Sequence, residues 1–160
     1  MKRVLFLLAG FALAALCGFL PWKSGDAADL IPVETLLVDY KDGEVQLFAA
    51  NGLEGQGKDF GSAMEKMQSQ APGNLFFGQV ERVVVGQQAV ALLPGAAKDG
   101  FLRLNAAVYR CMYAGQMSDE IEDLEAYWRA GEQRGRLTSM LQYCADGTLP
   151  IYINEEGRYE

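Results

Sequence analysis

Residues 33–50 read VETLLVDYKDGEVQLFAA and contain two strand-like apolar runs on either side of Lys41-Asp42-Gly43. Both runs are rich in the aliphatic and aromatic residues that favour a pleated sheet. An Asp-Gly pair between two such runs is typical of a tight hairpin turn. We therefore predict an antiparallel strand pair over residues 33–40 and 44–50 as the start of the folded domain.

A helix and a third strand are predicted to follow this hairpin. Residues 51–58 are rich in glycine and are predicted to form a loop. Apolar residues then recur at helical spacing from Phe60 to Ala71, with Asp59 as the N-cap and Pro72-Gly73 as the stop. Residues 80–85 contain three consecutive valines, which favour a central strand that is buried on both faces.

The remaining pattern completes a single domain. It predicts a short helix at 89–93, a strand at 103–113, a helix capped by Ser118, a second helix at 137–144 and a strand at 149–153. This order favours an α+β fold, with a mixed, largely antiparallel sheet and helices on one side. We divide the chain into a leader at 1–22, a linker at 23–32 and one α+β domain at 33–160.

The leader is predicted to be a hydrophobic signal peptide or membrane-anchor helix. Lys2 and Arg3 precede residues 4–22, which carry no charge. This charge distribution favours export of the chain that follows. Cys17 ends a lipobox-like Ala14-Ala15-Leu16-Cys17 sequence and is a candidate lipid anchor. We expect the domain at the extracytoplasmic face of a membrane, with full secretion as the alternative.

Charge and composition limit the function classes. The 160 residues include 14 Lys plus Arg and 21 Asp plus Glu, a formal charge of −7, and no histidine. Removing the leader removes Lys2 and Arg3 but no acid, which takes the charge to −9. An acidic domain is a poor binder of nucleic acid. The lack of histidine removes the commonest general base and zinc ligand, so we predict no enzyme, no cofactor and no metal site.

One glycine-rich motif suggests phosphate chemistry. Residues 52–59, GLEGQGKD, fit the G-x-x-x-x-G-K pattern of a phosphate-binding loop. The position that should hold a magnesium-binding hydroxyl is Asp59, and Glu54 adds a second negative charge that repels phosphate. We interpret the stretch as a flexible connection that ends in a helix cap. A degenerate nucleotide-binding enzyme is kept as a further hypothesis.

Five acids at 119–125 lie on a predicted helix rather than in a calcium-binding loop. We interpret them as a solvated face, with Glu125 spaced to pair with Arg129.

Cys111 and Cys144 are the cysteines outside the leader, and an oxidising exterior would allow them to form a disulfide. Cys144 also falls on an apolar helical face, where a buried free thiol is the alternative. Tyr109 and Tyr113 share a predicted strand face with Cys111. We interpret these tyrosines as core or edge packing, with a binding surface as the alternative.

A family resemblance appears from residue 60 onward. Residues 62–67 (SAMEKM), Pro72 and residues 75–86 (LFFGQVERVVVG) resemble the amino-terminal domain of the Ger(x)C family, the lipoprotein C subunits of spore germinant receptors. In that family an amphipathic helix leads through a proline and a Leu-aromatic-x-Gly/Ser-His/Gln turn into an aliphatic strand that ends in glycine. Residues 103–108 (RLNAAV) look like the family's next strand, and the resemblance spans about residues 33–153.

The resemblance implies a membrane-tethered, non-catalytic subunit that acts in germination through contacts with polytopic membrane receptor subunits. It covers only the first domain of that family. The alternative function is a general binding or interaction module of the cell envelope.

Overall fold

The hairpin forms as predicted, from strands β2 (Thr35–Lys41) and β3 (Glu44–Ala49). Asp42 and Gly43 connect them with φ angles of 55° and 86°. Positive φ at both positions gives the turn whose twist matches antiparallel strands. The computed structural model describes residues 29–50, 52–131, 138–148 and 150–154. The predicted leader at 1–22, with Cys17, lies outside the described residues.

The described residues from Ile31 onward belong to one compact unit. A short strand, β1 (Leu30–Pro32), falls inside the predicted linker at 23–32. It forms a two-stranded sheet with β5 (Asn74–Phe76), and the N–H of Val33 donates to the carbonyl oxygen of Phe76 at 3.3 Å. Regular structure therefore begins before the predicted domain boundary at residue 33.

Six strands form the main sheet, in the order β4-β3-β2-β6-β7-β8. The four strands not yet defined are β4 (Leu53–Gly57), β6 (Arg82–Gly86), β7 (Ala107–Cys111) and β8 (Ile151–Tyr152). The predicted α+β class and mixed sheet are confirmed. The expected antiparallel majority is wrong, because β2-β6, β6-β7 and β7-β8 are parallel and only β2-β3 and β3-β4 are antiparallel. Parallel neighbours need long crossover connections, which local sequence patterns do not reveal.

Helices supply these crossovers: α1 (Phe60–Gln70), α2 (Leu93–Lys98), α3 (Ile121–Gly131) and α4 (Met140–Asp146). The predicted cap of α1 is confirmed, since the Asp59 carboxylate accepts from the N–H of Ser62 at 2.8 Å. Ser118 is not a helix cap. It lies within a 3-10 helix, Ala114–Glu120, that runs directly into α3.

Helices cover both faces of the sheet, so the prediction of helices on one side is wrong. Successive strand residues point to opposite faces, and β6, the predicted central strand, is buried along its whole length. One hydrophobic cluster joins alternate residues of β2 and β6 to α1, α2 and α4. A second cluster joins Leu37, Val84 and Tyr109 to α3 and the Ala114–Glu120 3-10 helix.

Candidate functional site

The carboxyl ends of β2, β6 and β7 lie side by side at one edge of the sheet. Val38 of β2 is in register with Val85 of β6, and Gly86 is in register with Cys111 of β7. Asp39 follows Val38, which brings it to the same edge as Gly86 and Cys111. In open sheets with parallel strands, ligands bind outside this edge. It is therefore the candidate functional region.

Asp39 is a buried carboxylate at this edge, with 9% of its surface exposed. Its Oδ2 accepts a hydrogen bond from the N–H of Gly115 at 2.7 Å, and the N–H of Ala114 also donates to the carboxylate. Burial raises the pKa of Asp39, while these hydrogen bonds act in the opposite direction. The carboxylate thus fastens the Ala114–Glu120 3-10 helix to the sheet. The sequence reasoning did not select Asp39 as a site residue, although an acid inside the apolar run LLVDY was the available signal.

Two glycines make room for this contact. A Cβ atom on Gly86 would collide with Oδ1 of Asp39, and one on Gly115 would lie 3.1 Å from the Phe48 ring. Real Cβ atoms rarely come this close to a neighbour, so a side chain at either position would displace the carboxylate or the ring.

Cys111 lies beside Asp39 and is buried. Its Sγ donates to the carbonyl oxygen of Val85 at 3.7 Å. Burial, with a smaller contribution from the Asp39 charge, raises the pKa of Cys111 to about 12. The group is therefore a thiol at neutral pH and a weak nucleophile. The contacts at this edge hold the Ala114–Glu120 3-10 helix against the sheet.

A groove of about 500 Å³ opens on the other side of β2, next to Tyr40. Its lining comes from the β2–β3 hairpin, the start of α1 and the segment at 92–101 that contains α2, and includes Val45, Phe60, Leu92, Ala96 and Phe101. The Phe60 and Phe101 rings stack with centroids 6.0 Å apart. Lys58, Asp59 and Asp99 supply polar groups. Apolar walls with a few charged groups are typical of clefts that bind ligands.

Residues 53–57 of the predicted loop at 51–58 form strand β4, so the prediction of a loop is wrong for most of the glycine-rich stretch. It pairs with β3 from Leu53 to Gly57. A Cβ atom on Gly55 would collide with the carbonyl oxygen of Ala63, and one on Gly57 would lie 2.6 Å from the Ala63 nitrogen. The glycines therefore let α1 pack directly against the β4 backbone. The N–H groups at the start of α1 already face Asp59, which leaves this stretch unlike a phosphate loop.

Four of the five acids at 119–125 are exposed, and Glu125 is half-buried. Within the part of the chain that the structure describes, no three acidic or cysteine side chains are placed to hold a metal ion. The exposed positions agree with the predicted solvated face. The side chain of Arg129, the expected partner of Glu125, lies outside the described residues.

The disulfide candidates Cys111 and Cys144 are both free thiols, the first buried in β7 and the second exposed on α4. The alternative of a buried Cys144 is therefore wrong. Tyr109 and Tyr113 do not share a surface, because the buried Tyr109 stacks on Trp128 with ring centroids 5.2 Å apart. Tyr113 lies beyond β7 and is half exposed. Core packing of Tyr109 is confirmed, and a binding surface built from both tyrosines is wrong.

Neither family models, nor curated proteins, nor solved structures give a match to this chain. None of the helices in the described ranges is long and apolar enough to cross a membrane. The apolar run at 4–22 lies outside those ranges.

Proposed function

We propose that the chain is a non-catalytic subunit, tethered at the extracytoplasmic face of a membrane, that acts in spore germination within a germinant-receptor-like assembly. Its partners in this proposal are polytopic receptor subunits. The proposal rests on the apolar leader in the sequence and on the helix–turn–strand segment at 60–86.

The order of elements in that segment is the observation that carries the proposal. The amphipathic helix α1 ends before Pro72, β5 and a 3-10 helix at Phe77–Gln79 form the turn, and β6 follows and ends in Gly86. This is the succession expected from the Ger(x)C resemblance. The resemblance at 60–86 is better supported where the structure gives a physical reason for the residue type at a matching position.

Two contacts supply such reasons. The Gln68 side chain donates to the carbonyl oxygen of Gly73 and accepts from the N–H of Leu75, both at 2.8 Å, which ties the end of α1 to β5. A Cβ atom on Gly78 would lie 2.7 Å from the Phe76 ring, so glycine is the residue that fits this turn without a shift of the ring.

The groove beside Tyr40 is the surface that we expect a segment of a receptor subunit to occupy. Its half-buried aromatic residues, Tyr40 and Phe101, offer apolar area next to the exposed charge of Lys58. Apolar anchors with a polar rim are typical of protein interfaces.

Deletion of the gene in its spore-forming host tests the proposal. We expect slower germination, followed by the fall in optical density of a spore suspension, and recovery on complementation with the wild-type gene. Unchanged germination kinetics in the deletion strain would refute the role in germination.

Capture of membrane proteins with a tagged full chain tests the partners. Wild type should retain polytopic receptor subunits, and Lys58→Glu should retain several-fold less. Lys98→Glu is the matched control, because Lys98 is exposed on α2 but does not line the groove. Capture of envelope proteins other than receptor subunits would favour the general interaction module instead.

A further inference from the structure

We propose that the outer edge of β4 binds an extended basic segment of a partner protein as a further strand of the main sheet. β4 is the first strand in the sheet order, and among the described residues only β3 pairs with it. An unpaired strand edge presents backbone N–H and C=O groups to which another extended chain can bond. This edge is separate from the groove beside Tyr40 and does not depend on the proposed role in germination.

The register of the hairpin shows which backbone groups of β4 face outward. The two residues that flank its turn form a hydrogen-bonded pair. Hydrogen-bonded and non-hydrogen-bonded pairs alternate along an antiparallel ladder, so the backbone of Leu47 bonds to β4, where its partner is Gly55. The N–H and C=O groups of the neighbouring residues, Glu54 and Gln56, therefore point away from β3.

β4 has few of the features that protect strand edges from pairing. Its sequence, LEGQG, contains no proline and no lysine, and its continuous register with β3 leaves no bulge. Glu54 is the one charged residue of the strand, and both Glu54 and Gln56 are exposed. A carboxylate at this position repels a second copy of this acidic chain and attracts a basic strand.

A cleft of about 130 Å³ lies along this edge. Glu54 and Gln56 line it from one face of the sheet, whereas Lys66 and Gln70 line it from α1. α1 packs on the face to which a Cβ atom of Gly55 would point, which is opposite to the face of Glu54. A cleft that touches both sets of side chains crosses the edge itself, so there is open space beside the outward backbone groups.

Charges on the two faces specify the partner strand. Gln56 donates to the Glu44 carboxylate, which places Glu44 on the same face as Glu54, and Lys41 is paired with Glu44 in β2. Lys66 lies on the other face, beside α1. A strand that alternates basic and neutral residues puts its bases next to Glu54 and keeps them away from Lys66. The negative charge of the whole chain adds to this attraction.

Titration of the nitrogen-15-labelled full chain in neutral detergent with the peptide acetyl-KTKTKTK-amide, followed by NMR, tests the proposal. We expect saturable shifts of the amide resonances of Glu54 and Gln56 and slower hydrogen exchange at both. The control peptide is methylated at its three central backbone nitrogens, so it keeps the charge but loses donors for β4. It should bind at least about threefold more weakly. Absence of saturable shifts in β4, or equal affinity for the methylated peptide, would overturn the proposal.

Charge reversals locate the binding. Glu54→Lys should raise the dissociation constant of the peptide about threefold or more, the size of effect expected for one cross-strand charge pair. Glu65→Lys is the matched control, because Glu65 is exposed on α1 and does not line the cleft. If the two variants weaken binding equally, the peptide responds to the general charge of the domain and the proposed edge site is wrong.

Removal of an outward N–H group tests the backbone contact itself. Gln56→Pro deletes a donor that points away from β3, and proline is tolerated at such edge positions. Binding of the peptide should fall at least about threefold, and circular dichroism checks that the variant is folded. Unchanged binding by a folded Gln56→Pro would contradict strand addition. Because Glu54 is exposed, Glu54→Lys still decides the matter if proline disturbs the sheet.

Discussion

Thr35 and Asp39 lie four residues apart on the same face of β2, and both are buried. They differ in whether their polar side-chain atoms are hydrogen-bonded. The Asp39 carboxylate accepts from the N–H groups of Ala114 and Gly115. The Thr35 hydroxyl has no partner among the described residues and borders a cavity. A buried polar group is costly unless it is hydrogen-bonded. The satisfied group therefore holds the 3-10 helix to the sheet, whereas the unsatisfied hydroxyl lowers the stability of the fold.

A substitution that crowds the Asp39 side chain should cause the largest loss in the free energy of unfolding. Gly86→Ala would place a Cβ atom against Oδ1 of Asp39 in a fully buried strand. We expect a loss of about 3 kcal/mol in the free energy of unfolding, the upper part of the usual range for overpacking. Urea denaturation of the full chain, followed by circular dichroism, measures it.

Gly95→Ala is the control for that substitution. Gly95 lies in α2, and a Cβ atom there would meet nothing within 4 Å. Alanine is favoured over glycine in a helix, so stability should stay equal or rise by up to about 1 kcal/mol. Equal losses for the two variants would show that Asp39 does not limit the space at Gly86.

The sequence predicted what depends on local patterns. The Asp42-Gly43 turn, the Asp59 cap and the β6 strand are each set by residues within a few positions of one another. The parallel pairings and the second helical layer were not predicted, because they depend on contacts between distant positions: paired residues are 25 positions apart between β6 and β7 and 47 apart between β2 and β6. The role of the glycines in β4 depends on α1 lying against them. Thr35 and Asp39 look alike in sequence, as polar residues in an apolar run, and only their tertiary surroundings separate them.

Removal of the Asp39 carboxylate should have the second largest effect. Asp39→Ala would leave two backbone N–H groups without their acceptor, and we expect a loss of about 2 kcal/mol in the free energy of unfolding. Asp39→Asn keeps one acceptor oxygen and should lose less than half of that. If the two variants are equally stable, the hydrogen bonds to Ala114 and Gly115 do not hold the 3-10 helix.

At the other end of β2, removal of the polar group of Thr35 should raise the free energy of unfolding. Thr35→Val keeps the branched shape of the side chain and removes a buried hydroxyl that lacks a partner. We expect the free energy of unfolding, measured by the same denaturation, to rise by about 1 kcal/mol. Thr35→Ser, which keeps the hydroxyl and loses a methyl group, should be less stable than wild type. A loss of stability in Thr35→Val would mean that the hydroxyl is satisfied in solution.

The smallest effect should be a pH dependence at Asp39. Burial raises the pKa of Asp39, so the folded chain holds this proton to a higher pH than the unfolded chain does. Between the two pKa values the folded state binds more protons, and the stability that this group contributes falls as pH rises. The contribution is fully present below the unfolded pKa of about 3.9 and is lost as pH passes the raised folded pKa.

Two exposed acids act in the opposite direction and must be separated from this effect. Hydrogen bonds from Ser62 and Thr148 lower the pKa values of Asp59 and Asp146, so the stability from these two groups is lost as pH falls. The free energies of unfolding of wild type and Asp39→Asn are measured at a series of pH values above 3.9. Because both proteins contain Asp59 and Asp146, the contributions of these acids cancel in the difference between the two free energies. The difference should turn in favour of Asp39→Asn as pH rises. A constant difference would mean that Asp39 ionises as readily in the folded chain as in the unfolded one, in spite of its burial.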